Sequence, residues 1–158
     1  MRLKLFTVPG QVIHNATRRL VLSGADGVAF IADSQKSETK ANAEAFVNLK
    51  QNLKENGLDK KIPTLIQFNK RDLPDIRSDQ EIDMLASRGK EPVYKAVATR
   101  GVGVLETFLG LVQATWDRLE QEHQLKTKFQ LDPREVIDTL VDKLGLKDAK
   151  LGEGGAAQ

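Results

Sequence analysis

Hydrophobic and polar positions along this chain change period several times, and most of the changes fall at glycine, proline, serine, asparagine or aspartate. Residues 3–8 alternate Leu, Lys, Leu, Phe, Thr, Val and then meet Pro9 and Gly10, which predicts a strand closed by a turn. Val12, Ile13, Ala16, Leu20 and Val21 recur at helical spacing with Arg18 and Arg19 outward, so residues 12–22 read as a short helix ending at Ser23 and Gly24. Residues 27–32 are continuously apolar, as a strand covered on both faces should be, and Asp33 and Ser34 close it. A helix over 37–56 follows, with Ala41, Ala45, Phe46, Leu49 and Leu53 inward and Gly57 as its stop. A second apolar, β-branched run begins at Ile62 and ends on Asn69, Lys70, Arg71 and Asp72. After a break at Leu73, Pro74 and Asp75, Ser78 and Glu81 form a capping-box pattern for a helix over 78–87. Residues 92–97 predict a last strand. Leu105, Phe108, Leu109, Val112, Trp116 and Leu119 make one stripe of a helix over 104–123 that packs on the sheet. Asp132 and Pro133 supply a cap and a first-turn proline for a further helix, with Val136, Ile137, Leu140, Val141 and Leu144 apolar and Gly145 at its end. That helix is expected to fold back on the domain or to dock on a partner.

The alternation of strands and helices predicts an α/β fold with a mostly parallel sheet. At 158 residues, one core-forming domain is expected over 1–124, an additional amphipathic helix within 125–146, and a disordered Gly- and Ala-rich tail over 147–158. Apolar residues at 40% and charged residues at 29% fit a globular chain. Cysteine is absent, which excludes a disulfide framework and thiolate metal sites and fits the cytoplasm. No apolar run approaches the roughly 20 residues of a membrane helix, and the start lacks the pattern of a signal segment. With 24 basic against 22 acidic residues and no basic cluster, nothing points to nucleic acid. His14 and His123 stand far apart without acidic companions at ligand spacing, so no metal site is predicted and both read as packing or surface residues.

The chemistry sits in residues 62–73. Asn69, Lys70, Arg71 and Asp72 fall at the carboxyl end of a buried strand, the edge where open α/β sheets bind ligands. The Asp72 carboxylate is suited to accept from the ring N1–H and the exocyclic amino group of guanine together, a charge-assisted pair that adenine does not offer. A site built on such a bond rejects the wrong base by leaving its own polar group unpaired, typically by about four to five powers of ten. Asn69 is placed to tie neighbouring loops and touch the purine edge, and the Lys70 stem to cover a ring face. The plainer reading is a turn opened by Asn69 and Asp72 with Lys70 and Arg71 solvated. Three fixed residues in four arise by chance at roughly two per cent in a chain of this length, so the base-reading interpretation is favoured.

This quartet resembles the guanine-specificity motif of the Ras-like small GTPases. Upstream, Thr7, Val8, Pro9, Gly10 and Gln11 are similar to the phosphate-side switch of the same family, in which Asp usually stands at the position of Thr7. The string from that loop through Ala25, Asp26, Gly27 and Val28 to Ala32, Asp33 and Ser34 resembles the bacterial MglA-type GTPases of polarity and gliding motility, whose switch carries the same Thr-for-Asp exchange. The resemblance spans about residues 3–119. It implies a three-layer, P-loop NTPase-like (Ras-like) sheet, GTP or GDP as ligand with Mg2+ in the intact family, and GTP hydrolysis in cell polarity or gliding motility. It implies further that Gly10 brings a backbone N–H to the γ-phosphate and that Gln11 orients the attacking water. Asn69, Lys70 and Asp72 would select the base, and the Ala98 backbone N–H would meet the guanine carbonyl oxygen. The commoner Ser and Lys around that last position are Val97 and Thr99 here. A roadblock-type activator engages the switch surface in relatives.

One part of the family pattern is missing. No Gly-x-x-x-x-Gly-Lys-[Ser/Thr] occurs in the sequence, and Gly89, Lys90 and Glu91 do not stand in for it. The first switch, with its magnesium-binding threonine, is missing as well. The resemblance therefore corresponds to the carboxyl-terminal two-thirds of a GTPase, and its incomplete sheet lacks the strand that lies between residues 3–8 and 27–32 in the family. Backbone groups left unpaired there would cost roughly 1 to 3 kcal/mol each when buried. Three arrangements answer this: a fragment of a longer chain, closure of the two flanking strands on each other, or a strand supplied by another chain or copy. Little or no GTPase activity is expected of these residues alone. The rival readings are a pseudo-GTPase that binds partners through the 12–22 helix and the carboxyl-terminal helix, and an unrelated doubly wound domain with a chance quartet.

Overall fold

A computed structural model of the protein describes residues 2–8, 15–58, 62–130 and 132–145. The two apolar runs become strands β1 (Val28–Asp33) and β2 (Thr64–Asn69), and β3 (Val93–Lys95) joins them. All pairing is parallel, in the order β1-β2-β3, with Asp33 opposite Asn69 and Phe68 opposite Lys95. Parallel pairing brings the three carboxyl ends to one edge of the sheet.

Successive strand residues face opposite ways, and the sequence uses both faces. Val28, Phe30 and Ala32 with Ile66 and Phe68 meet Leu22 of α1 (Asn15–Leu22), Leu49 and Leu53 of α2 (Thr39–Glu55) and Ile82 of α3 (Asp79–Arg88). On the other face lies α4 (Val104–His123), which buries Leu109, Val112 and Trp116 and receives the buried Gln67 side chain of β2 on Thr107 at 2.7 Å. The result is three layers, helices on both sides of a parallel sheet. Ile82 is wholly buried, and burying such a side chain contributes about 1.5–3 kcal/mol relative to leaving it exposed. The predicted capping box is formed: Ser78 Oγ accepts from the Glu81 N–H at 3.2 Å, and the Glu81 carboxylate accepts from the Ser78 N–H at 2.7 Å. The N-terminal end of α3 is thereby fixed beside the loop that follows β2.

Several expectations are corrected. Residues 3–8 do not form a strand: the segment lies in no regular element, with Leu5 and Phe6 exposed. Alternation alone does not make a strand, because the backbone groups need a neighbouring ladder. The outer edge of β1, where closure of the flanking strands would have placed that segment, carries no strand among the described residues, and Ile31 on it is 52% exposed. Arg18 was expected outward and is instead buried, donating to Asn48 Oδ1 of α2, while Ala16 and Leu20 face out. A polar row on α2, Asn48 hydrogen-bonded to the buried Asn52 at 3.1 Å, turns the helix that way. Residues 12–14 of that predicted helix lie outside the described residues. Ala41, in the first turn of α2 after a 3₁₀ turn (Lys36–Glu38), is exposed rather than inward. Among the described residues of the segment predicted as one helix there are two, α5 (Leu125–Phe129) and α6 (Pro133–Lys143), and Gln130 after the first has φ 53°. Asp132 caps α6 as predicted, its carboxylate accepting from the Arg134 N–H at 2.8 Å. α6 folds back against α4, one of its two expected placements, and Leu144 lies exposed beyond it.

Candidate functional site

Asn69 is the last residue of β2, so its side chain leaves the sheet at the carboxyl edge. Its Oδ1 accepts the Ala98 backbone N–H at 2.9 Å, and one residue pair further on the Arg71 N–H donates to the Ala96 carbonyl at 3.1 Å. Two hydrogen bonds therefore stitch the loop after β2 to the loop after β3, as the tying role of Asn69 anticipates. The Ala98 N–H itself is engaged by Asn69, whereas the family resemblance assigns it to the guanine carbonyl. Ala98 opens a 3₁₀ turn (Ala98–Arg100) whose reversal is completed at Gly101 and Gly103, both with φ near +73°.

Arg71, the variable position of the quartet, is not solvated. Its side chain is 13% exposed, donating to the Arg77 carbonyl at 2.6 Å and to Asp79 Oδ1 at 2.9 Å in the first turn of α3. Asp79 also pairs with Lys95 at 3.2 Å, and Lys95 with Asp83 at 2.8 Å. The Lys95 hydrogen bond, working against burial and helped by the Lys95 and Arg71 charges, holds the Asp79 carboxyl below its ordinary value. These bonds hold the loop to α3 and leave its outward residues free for a ligand.

Lys70 follows Asn69 in the left-handed region, with φ 63°, a conformation that strains any residue with a Cβ. Its Nζ lies 2.6 Å from Asp33 Oδ2, at the end of β1. The Lys70 stem was expected to cover a ring face of the base; the ammonium beyond that stem is held by this carboxylate. Asp72 is exposed, and among the described residues no hydrogen bond or ion pair engages its carboxylate. It remains available to a ligand. Thr7 is exposed and is not joined to the quartet by any hydrogen bond or ion pair among the described residues. Gly10 and Gln11 lie outside the described residues, as does His14, while His123 is exposed at the end of α4. Mg2+, which the family implies, finds no group of three His, Asp or Glu side chains gathered to hold it among the described residues.

Removing the Asn69 side chain tests the stitching directly. Asn69→Ala is expected to lower unfolding stability by about 1–2 kcal/mol, since the Ala98 donor loses its partner. Amide exchange at Ala98 should accelerate in the same variant while α6 is unchanged; an unaltered Ala98 amide would remove the tie from the account.

Searched against known proteins, the chain matches no family model. It is 45% identical over 121 residues to the mutual gliding-motility protein MglA of Myxococcus xanthus, a match covering 76% of this chain. Over that stretch the chain belongs to the MglA-type, Ras-like small GTPases. The match spans 62% of the length of the relative. The three-layer parallel architecture agrees with a partial Ras-like, P-loop NTPase fold. In this MglA-type chain the residues that sequence reasoning missed are those supporting the quartet: Asp33, Asn42 and Arg71. Only Asp33 carried a signal, standing directly after an apolar strand on the ligand edge. Among the described residues no helix is long and apolar enough to cross a membrane.

Proposed function

We propose that this chain is the guanine-reading and switch portion of a small GTPase acting in gliding motility or cell polarity in the cytoplasm. The observation that carries the reading is the Asn69–Ala98 tie, at 2.9 Å, which sets two loops side by side at the sheet edge, with Asp72 on the first of them exposed and, among the described residues, unengaged. A carboxylate in that setting accepts two parallel N–H bonds from the Watson–Crick edge of guanine, and adenine presents an acceptor where guanine presents the ring N–H. Asn69 orients the loops and meets the purine edge; Lys70 lays its methylene stem along one ring face while its ammonium stays on Asp33. For the Ala98 N–H to meet the guanine carbonyl, Asn69 must release it, so base binding exchanges one hydrogen bond for another at that atom.

In the same reading Gly10 meets the γ-phosphate, Gln11 orients the hydrolytic water and Thr7 stands in the switch. GTP or GDP is the ligand. Mg2+ would supply charge neutralisation at the phosphates in the intact family. A roadblock-type activator at the switch surface belongs to the proposal as partner. The second reading, an inactive interaction module, has support in the exposed Leu20 of α1 and Val47 of α2, although α6 packs against α4.

Competition between GDP and ADP for a fluorescent guanine nucleotide separates these readings from a chance quartet. GDP should displace the probe at concentrations where ADP does not; equal displacement by ADP would retire the guanine assignment.

A further inference from the structure

The ion pair between Lys70 and Asp33 joins residues 37 apart in sequence, and nothing in the base-reading scheme so far requires it. Asp33 is unusually well fixed for an exposed sheet edge. β1 hydrogen-bonds to β2 through alternate residues, as the Val28 N–H on the Pro63 carbonyl and the Ser34 N–H on the Asn69 carbonyl show, so the backbone of Asp33 faces the other way. The Asn42 side chain takes both of those outward groups: Oδ1 accepts the Asp33 N–H at 3.1 Å and Nδ2 donates to the Asp33 carbonyl at 2.8 Å. The Asp33 carboxylate is fixed in turn, Oδ1 accepting the Gln35 N–H at 3.0 Å and leaving Oδ2 for Lys70. A rigid acceptor thus stands under a lysine whose own backbone is strained.

We infer that Asp33 is a positioning residue of the base-reading loop, holding the Lys70 ammonium so that Lys70 keeps its left-handed backbone and the loop carrying the exposed Asp72, two residues on, keeps its shape. Non-glycine residues persist in that conformation only where surrounding contacts over-determine it. Here the contacts on the far side are the Leu73 N–H on the Lys70 carbonyl at 3.2 Å and the Arg71 anchor on α3; on the near side there is Asp33. The segment after Asp33 supports the same loop again: the Lys36 N–H donates to the Asp75 carbonyl at 2.9 Å, and Gln35 bridges to Ile76. The electrostatics agree. Burial pushes the Asp33 carboxyl up, but the Lys70 hydrogen bond, the Gln35 N–H and the Lys70 charge together bring it below its ordinary value, and the bond to Asp33 raises Lys70. Both partners are charged at neutral pH.

The functional half of this inference rests on the guanine reading, so the test carries two readouts. In a double-substitution cycle on the whole chain, Asp33→Asn should weaken GDP binding about tenfold, Asp33→Glu should restore most of it, and Asp33→Asn with Lys70→Gln should be no worse than Lys70→Gln alone. Additive losses would overturn the inference. If the unsubstituted chain binds GDP no better than ADP, the guanine reading fails, and amide exchange in the apo protein decides the positioning role by itself. Asp33→Asn should then speed exchange at residues 70–73 about tenfold while the Ala98 amide, held by Asn69, keeps its rate. Unchanged exchange at 70–73 would overturn it.

Discussion

Gly103→Ala is expected to destabilise the domain by about 3–4 kcal/mol, a large fraction of the roughly 5–15 kcal/mol of an ordinary domain. A Cβ built on Gly103 would stand 2.0 Å from the Lys95 carbonyl oxygen and 2.9 Å from the Ala96 Cα, and neither backbone atom has room to yield. The backbone there has φ +74°, which adds strain for alanine. The Gly103 carbonyl also collects a buried network, accepting from Thr107 Oγ1 at 2.6 Å and Gln67 Nε2 at 3.3 Å, so a shift of the turn would disturb α4 and β2 together. Gly101→Ala is the control. Its φ is +73°, yet a Cβ there would meet nothing within 4 Å, so only the conformational penalty of about 1 kcal/mol should appear. Urea unfolding of the two variants distinguishes the cases. Equal losses would mean that close approach of α4 to β3 does not govern the turn carrying Ala98.

The second large effect is expected in binding, with folding untouched. Asp72→Ala should cost GDP about 3 kcal/mol, more than a hundredfold in Kd, because two hydrogen bonds to a charged acceptor are lost at once. ADP affinity should stay within a factor of about three, so the preference for guanine collapses. Among the described residues Asp72 makes no hydrogen bond or ion pair, and its removal should therefore alter unfolding stability by less than about 0.5 kcal/mol. Calorimetric titration and thermal unfolding measure the two halves. A variant that melts early, or that loses GDP and ADP binding equally, would show Asp72 to be structural.

How much of this was readable in the chain differs from element to element. The 104–123 helix emerges with the boundaries its stripe predicts, because a long apolar period leaves one way to pack against a sheet. Ser78 with Glu81, and Asp132 with Pro133, announce their helix starts through local hydrogen bonds that the residues supply themselves. Residues 3–8 fail as a strand for the opposite reason: their pattern requires a neighbour that the described sheet does not place beside them. Arg18 defeats the rule that charges face water, since its partner Asn48 comes from another helix, 30 residues away. At the site, the loop-tying bond of Asn69 was legible from its position after a buried strand. The Lys70–Asp33 pair, the Asn42 clamp and the Arg71 anchor depend on tertiary proximity, and no spacing along the chain encodes them.

Amide chemical-shift mapping of the isotope-labelled chain with GMP and with AMP addresses the base site most directly, since the two ligands carry the same single phosphate and differ in the purine. The account predicts that GMP shifts resonances at 69–73 and 97–100, Ala98 most of all as it leaves Asn69, and that AMP leaves them in place. Equal responses to the two nucleotides, or GMP shifts confined to other surfaces, would contradict it.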